Sequence, residues 1–278
     1  MGLSVNTNIA ALNSYRNLSN TDNQLSKSLE KLSSGYRINR AADDAAGLAI
    51  SEGLRSQIGG LKVAIRNTQD GVSVVQTAEG ALTESHAILQ RMRDLAVQSA
   101  NGTHDTNSRT ALNSEATALK SELTRIADKT TFNNVNLLDG SFSAKDFQVG
   151  YASGDKITVA IKSGTASEGF DATDLGVSGV DLSSASGAAA AIGSLDLAIK
   201  EVSTARADLG ALQNRFEHTI KNLSVTQENL TASESRIRDT DMAQEMTNFS
   251  RNQILSQAGT SMLAQANQAS QSILKLLG

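Results

Sequence analysis

The chain has 278 residues, and its 25 Lys and Arg against 29 Asp and Glu leave a net charge of −4, which gives no basic face of the kind that binds nucleic acid. It contains no Cys, which excludes disulfides, thiolate nucleophiles and cysteine-ligated metal centres. Only 3% of residues are aromatic and none is Pro, a composition that argues against an aromatic-lined ligand pocket and favours long, uninterrupted helices.

The first predicted helix and the last one each carry an apolar stripe on an otherwise mostly uncharged surface. The spacing within each stripe is that of the a and d positions of a coiled coil. The other faces are mostly Ser, Asn, Gln and Ala, which suits close packing against several neighbours. We therefore predict an assembly seam, which is formed by Leu18, Leu25, Leu29, Leu32, Leu255, Met262 and Ile273.

The two ends carry few large apolar anchors for their length, several of which are Ala. Ordering a residue costs roughly 1–2 kcal/mol of backbone entropy, so we expect the ends to be disordered in a monomer and to fold only on self-assembly. The start of the sequence lacks a basic region followed by an apolar run, and no span is apolar enough to cross a membrane. We expect neither a cleaved secretory signal nor membrane insertion.

Two adjacent carboxylates, Asp43 and Asp44, stand just before a long apolar pattern. Paired acids can bind a metal ion, but short acidic side chains are also the residues that begin helices. With Gly47 close by, we interpret this stretch as the start of a helix or a joint between helices, and the metal site remains the alternative.

Two long segments repeat apolar residues every seven positions, which is the signature of a coiled coil or helical bundle. The first ladder is interrupted only by Thr68, and the second is complete. A shorter helical pattern around residues 112–126 lies between them, after a turn at 101–107. The predicted bundle core consists of Leu54, Leu61, Val75, Leu82, Leu89, Leu195, Val202, Leu209, Phe216, Leu223 and Leu230.

The middle of the chain has a different character. Residues 147–161 alternate between apolar and polar side chains around Ser153-Gly154-Asp155, which predicts a β-hairpin. The segment that follows is rich in Gly, Ser, Ala and Asp. We expect residues 141–192 to be a short surface excursion between the two halves of the bundle.

No catalytic constellation is found. His86, His104 and His218 are scattered, and none lies in an H-E-x-x-H string. No phosphate-binding, dinucleotide-binding or nucleophile-elbow motif occurs. The sequence therefore predicts no enzyme activity, no cofactor and no metal.

Several long strings resemble bacterial flagellins, and they occur in the order found in that family. The likeness covers about 1–150 and 190–278. The strings are SSGYRINRAADDAAGLAIS (33–51), RNTQDGVSVVQTAEGAL (66–82), LQRMRDLAVQSANGT (89–103), FNNVNLLDG (132–140), FQVG (147–150), RADLGALQNRFEHTIKNLS (206–224), ESRIRDTDMAQEM (234–246) and QILSQAGTSMLAQANQ (253–268).

The resemblance implies a structural subunit that polymerises into the helical flagellar filament for motility. It implies that the paired ends line a central channel and that the chain is secreted through the flagellar type III export apparatus. The implied partners are other copies of the chain, an export chaperone on residues 235–278, and hook-junction and cap proteins. A host Toll-like receptor is also implied, through Arg91, Leu95 and Glu115.

Together these observations predict a mainly α fold: an elongated antiparallel helical bundle or coiled coil, with paired terminal helices and a small β-hairpin region in the middle. The expected divisions are 1–42 and 239–278 for the inner coiled coil, 43–140 and 193–238 for the bundle, and 141–192 for the variable region. The alternatives are a hook–filament junction protein, a secreted enzyme on flagellin-like ends and a coiled-coil adaptor. The continuous match, the missing metalloprotease motif and the uncharged ends count against them respectively.

Overall fold

The computed structural model describes residues 7–163 and 169–277, with side chains described as far as Ala269. Its elements confirm the mainly α fold. The helices are α1 (Ile9–Ser34), α2 (Ala45–Ala100), α3 (Thr106–Lys129), α4 (Ala185–Arg238) and α5 (Met242–Leu277). The strands are β1 (Thr131–Phe132), β2 (Val135–Asn136), β3 (Lys145–Gln148) and β4 (Lys156–Val159).

The chain divides into two compact units. The terminal unit contains the described residues up to Ser56 and those from Asn229 onward, and the bundle unit is Gln57–Glu228. The sequence placed these divisions at 42 and 238 instead. The difference arises because the start of α2 and the end of α4 join the terminal unit, where the Arg238 guanidinium pairs with Glu52 at 2.6 Å.

The bundle unit is organised around the two heptad ladders. Two ion pairs link its helices: Arg93 of α2 with Asp196 of α4, and Arg91 of α2 with Glu115 of α3. Thr68, which interrupts the first ladder, is fully buried and donates its hydroxyl to the Ala64 carbonyl at 2.7 Å. A polar residue is tolerated there because its hydrogen bond is satisfied inside the helix.

Most of the predicted core lies where the ladders place it. Leu54 and Leu230 are corrections, since both are half-buried and belong to the terminal unit, close to the points where the chain passes from one unit to the other. The predicted core residues that are buried in the bundle unit are Leu61, Val75, Leu82, Leu89, Leu195, Val202, Leu209, Phe216 and Leu223.

Short turns connect the elements of the bundle unit. The predicted turn at 101–107 separates α2 from α3, and Asp105 caps α3 by accepting the Ser108 amide at 2.8 Å. A small hairpin that the sequence did not predict joins β1 and β2 through Asn133 and Asn134, both at positive φ. Asn is among the residues that best adopt this left-handed conformation in a two-residue turn.

The middle of the chain forms the predicted hairpin, in which Phe147 of β3 pairs with Ile157 of β4. The expectation of a surface excursion was wrong. Large side chains from this region are buried in the same core as those of the helices, because burial removes their apolar surface from water. They are Phe142, Val149, Ile157, Val159, Ile161, Phe170, Leu175, Val177, Val180 and Leu182.

In the terminal unit, α1 packs along α5. The pair is antiparallel: the Asn8 amide donates to the Ala266 carbonyl, and the Ser256 hydroxyl donates to Asp22, each at 2.9 Å. Each terminal helix thus has a partner within the same chain, and the expectation that the ends order only on assembly stays a prediction. The pairing is thinly packed, however, and Ser28 is the buried residue of α1.

Candidate assembly surface

A joint in the terminal unit connects α1 to α2 and α4 to α5. Gly35 ends α1 at a φ of +74°, and its carbonyl accepts the Thr240 amide at 3.0 Å. The Arg37 amide donates to the Arg238 carbonyl at 2.7 Å, and the Arg37 guanidinium donates to the Ile237 carbonyl at 2.7 Å. The two connections are thus tied together by backbone hydrogen bonds.

The Arg238 side chain lies at the centre of this joint and is 12% exposed. Its guanidinium stacks over the Tyr36 ring at 4.9 Å and donates to Glu52 at 2.6 Å. Hydrogen bonding from Arg238 holds the pKa of the Glu52 carboxyl below its ordinary value, with the positive charge of Arg55 adding to the effect. The arrangement fixes the direction in which α5 leaves α4.

The acidic pair beside this joint serves backbone capping. Asp44 caps α2 by accepting the Gly47 amide at 2.8 Å. Asp43 accepts the amides of Arg40 and Asn39, and the Arg40 hydrogen bond is the main reason that the pKa of Asp43 lies below its ordinary value. Both carboxylates are therefore occupied in the way that the helix-start interpretation expects.

The terminal unit leaves an unusual amount of large apolar surface uncovered. Nine such side chains on α1 and α5 are between 47% and 65% exposed. We call this set the assembly surface. It consists of Ile9, Leu12, Tyr15 and Leu29 on α1, and Met242, Met246, Ile254, Leu255 and Met262 on α5.

The predicted seam residues fall into two groups. Leu18, Leu25 and Leu32 are half-buried, and Leu18 lies beside Gly259 of α5. Leu29, Leu255 and Met262 belong instead to the exposed assembly surface. Ile273 lies within α5, but its side chain is outside the described residues.

The sequence reasoning missed most of the assembly surface. Ile9, Leu12 and Tyr15 recur every three residues in the first turns of α1. That spacing is a helical-face signal, and it defines a second apolar row beside the half-buried one.

The three residues that the resemblance implies as a receptor contact lie on α2 and α3, and they differ in exposure. Arg91 and Glu115 form an ion pair at 2.8 Å on the surface of the bundle unit. Leu95 is 1% exposed and belongs to the core. Its expected role as a surface contact does not fit, because a residue of the buried face cannot reach a partner while the bundle is intact.

The described residues, 7–163 and 169–277, include neither a metal-binding cluster nor a membrane-spanning helix. In that part of the chain no group of three or more His, Asp or Glu is placed to hold a metal ion. None of its helices combines the length and apolar character needed to cross a bilayer.

Models of known protein families match both ends of the chain. The family model for the bacterial flagellin N-terminal helical region matches residues 5–143, and that for the C-terminal helical region matches residues 192–277. Flagellin of Halalkalibacterium halodurans is 52% identical over 273 residues, which cover 98% of this chain and 99% of the relative. The chain belongs to the bacterial flagellin family. This flagellin is accordingly a structural subunit of the flagellar filament.

Further relatives agree with this assignment. Flagellin of Bacillus subtilis is 46% identical, with 98% of this chain and 99% of the relative covered. The crystal structure of Bacillus cereus flagellin matches with a TM-score of 0.50 and 35% identity, covering 57% of this flagellin and 88% of that chain.

Proposed function

We propose that this flagellin assembles by packing the assembly surface on α1 and α5 against other copies of the chain. The exposure of nine large apolar side chains on the terminal unit is the observation that carries the proposal. Because each is only about half exposed, covering it returns roughly 1–2 kcal/mol. Nine together are of the same order as the cost of association, about 4–15 kcal/mol.

The terminal unit and the bundle unit would then have different roles in the filament. The paired ends, which the sequence analysis placed at 1–42 and 239–278, would line the central channel and form subunit contacts. The bundle would pack against neighbouring subunits. The middle region is rich in Gly and Ser, but it would keep a fixed position on the bundle, since its apolar side chains belong to the bundle core.

The remaining partners follow from the same surface. An export chaperone that binds residues 235–278 would cover the exposed Met246, Ile254 and Leu255 before secretion. Hook-junction and cap proteins would meet the same kind of surface at the two ends of the filament. We place the assembled protein outside the cell and assign it a purely structural role, without enzyme activity.

A host receptor contact is a separate part of the proposal. The surface pair Arg91 and Glu115 is accessible in this single chain. Because Leu95 is buried, the contact would rest on the charged pair and its surroundings.

The test compares two neighbouring positions on α5. Ile254 is 65% exposed on the assembly surface, and Gln253 beside it is exposed and polar. Ile254→Asp and Gln253→Glu each add one negative charge, but only the first removes an apolar side chain. In seeded polymerisation followed by sedimentation, we expect Ile254→Asp to stay in the supernatant and Gln253→Glu to pellet with the filaments.

Circular dichroism checks that both variants retain the helical signal of the parent chain. Normal polymerisation of Ile254→Asp would contradict the proposal. Equal loss in both variants would also count against it, since added charge rather than lost apolar contact would then explain the defect.

A further inference from the structure

We propose that three methionines on α5 form an oxidation-sensitive site, at which conversion to methionine sulfoxide blocks assembly of the monomer. The inference rests on the proposed role of the assembly surface. It adds a chemical modification, its sites and its consequence.

The five methionines of the sequence are unevenly placed. Met242, Met246 and Met262 are 47%, 51% and 59% exposed, and all three lie on α5. Met92 is 0% exposed in the bundle core. Met1 lies outside the described residues. An oxidant in water therefore meets three thioethers on one helix while Met92 is shielded.

The site consists of two parts along α5. Met242 and Met246 are one helical turn apart in the first turns of the helix, so they share a face. Met262 lines a groove of about 240 Å³ between α1 and α5, together with Leu18, Leu255 and Gly259. Both parts expose apolar side chains that a partner copy would cover.

The chemistry is a two-electron oxygen transfer from hydrogen peroxide. The thioether sulfur gains one oxygen atom and is oxidised, while the peroxide O–O bond breaks and leaves water. The proton on the transferred oxygen passes to the departing hydroxide, so thioether and peroxide give sulfoxide and water, and peroxide is the only oxidant required. The product is a polar sulfoxide on a previously apolar side chain, which disrupts Met-rich interfaces and is reversed by methionine sulfoxide reductases.

The consequence differs between the free subunit and the filament. In the free chain the three methionines are about half exposed, whereas the proposed contacts cover them after assembly. Oxidation therefore removes free subunits from polymerisation, and subunits already in the filament are protected. The effect concerns free subunits without the export chaperone, since a chaperone bound to residues 235–278 would itself cover the α5 methionines.

The experiment exposes monomeric full-length protein to graded hydrogen peroxide and follows two readouts. Peptide mass spectrometry measures sulfoxide at each methionine, and seeded polymerisation measures assembly. We expect Met242, Met246 and Met262 to oxidise well before Met92. The critical concentration for polymerisation should rise by about tenfold or more, which corresponds to at least about 1.4 kcal/mol, and reductases for both sulfoxide epimers should restore it.

Leucine replacements supply the matched controls, since exchange between Met and Leu conserves volume. The triple variant Met242→Leu, Met246→Leu, Met262→Leu should polymerise equally before and after peroxide. Met92→Leu should remain as sensitive as the parent chain. If the triple variant assembles poorly without peroxide, the three single replacements are compared instead, and each should reduce the sensitivity of assembly.

Three results would overturn the proposal: oxidation of Met92 at the same rate as the α5 methionines, normal polymerisation of oxidised parent protein, or equal peroxide sensitivity in the triple variant. Equal oxidation of the α5 methionines in monomer and filament would also overturn it. Failure of the untreated parent chain to polymerise is a failure of the proposed function itself, and it is seen before peroxide is added.

Discussion

Two glycines in α2 should respond in opposite directions to the same substitution. A Cβ at Gly71 would lie 2.9 Å from Cζ of Phe216 and 3.3 Å from Cδ1 of Phe147, whereas a Cβ at Gly80 meets nothing within 4 Å. Phe216 is 0% exposed and packs edge-to-face on Phe147, with ring centroids 5.8 Å apart. The ring next to Gly71 is therefore held in place by its neighbours.

The expected magnitudes follow from two opposing effects. Replacing Gly by Ala inside a helix stabilises it by about 1 kcal/mol, and this is the whole effect expected for Gly80→Ala. At Gly71 the added methyl group also overpacks the core, which costs typically about 1–3 kcal/mol. We expect Gly71→Ala to lower the free energy of unfolding by about 0–2 kcal/mol, so that it is less stable than Gly80→Ala by about 1–3 kcal/mol.

Urea unfolding followed by circular dichroism measures both variants in the full chain. A second background tests the cause: in Phe216→Leu the closest ring atoms are absent, so Gly71→Ala should lose most of its penalty. Residues in contact show such non-additivity of about 0.5–3 kcal/mol. Equal stabilisation by Gly71→Ala and Gly80→Ala, or an unchanged penalty in Phe216→Leu, would refute the packing argument.

Two further predictions concern the joint and one helix cap. Arg238→Met should loosen the joint and speed amide exchange at residues 35–40, since it removes a cation worth about 0.5–2 kcal/mol over Tyr36. Arg238→Lys should restore only part of the protection. Amide exchange at the wild-type rate in Arg238→Met would contradict this role. The Ser108 hydroxyl and amide hold the pKa of Asp105 below its ordinary value of 3.8. The ionised cap therefore stabilises α3 when the pH is above that value, and this stabilisation is lost as the pH falls through the lowered pKa of Asp105. Asp105→Asn should flatten the acid dependence of amide exchange at the start of α3, and a profile like that of the parent chain would argue against the cap.

The helical scaffold could be predicted because its signal is periodic. Seven-residue spacing identified Leu82, Leu89, Leu195 and Leu209 as core from sequence alone, and all are buried. Thr68 fits the same ladder because its hydroxyl bonds within the helix.

The packing of the middle region could not be predicted, because it depends on contacts between distant residues. The Ser99 hydroxyl and the Lys120 ammonium donate to the carbonyls of Leu182 and Val180, at 2.6 Å and 2.9 Å respectively. Asn113 accepts the Leu182 amide at 2.9 Å. These hydrogen bonds hold a Gly- and Ser-rich segment against the helices, and no local sequence pattern in that segment predicts them.

The assembly surface was only partly visible in the sequence for a related reason. An apolar stripe shows that a helix has a buried face, but it does not say whether the partner belongs to the same chain or to another copy. Leu18 turned out to lie beside α5 of its own chain, whereas Leu29 and Met262 are exposed. Similarly, the resemblance supplied Leu95 as a contact without revealing that it lies on the inward face of α2.

The most direct test of the assembly surface uses the absence of native cysteine. Single variants Leu12→Cys, Ile254→Cys and the core control Leu82→Cys are mixed with excess wild-type chain, and thiol labelling is measured in monomers and in seeded filaments. We expect the thiols at 12 and 254 to react readily in monomers and to be protected in filaments, while the thiol at 82 is protected in both. Labelling of positions 12 and 254 at the monomer rate within filaments would contradict the account.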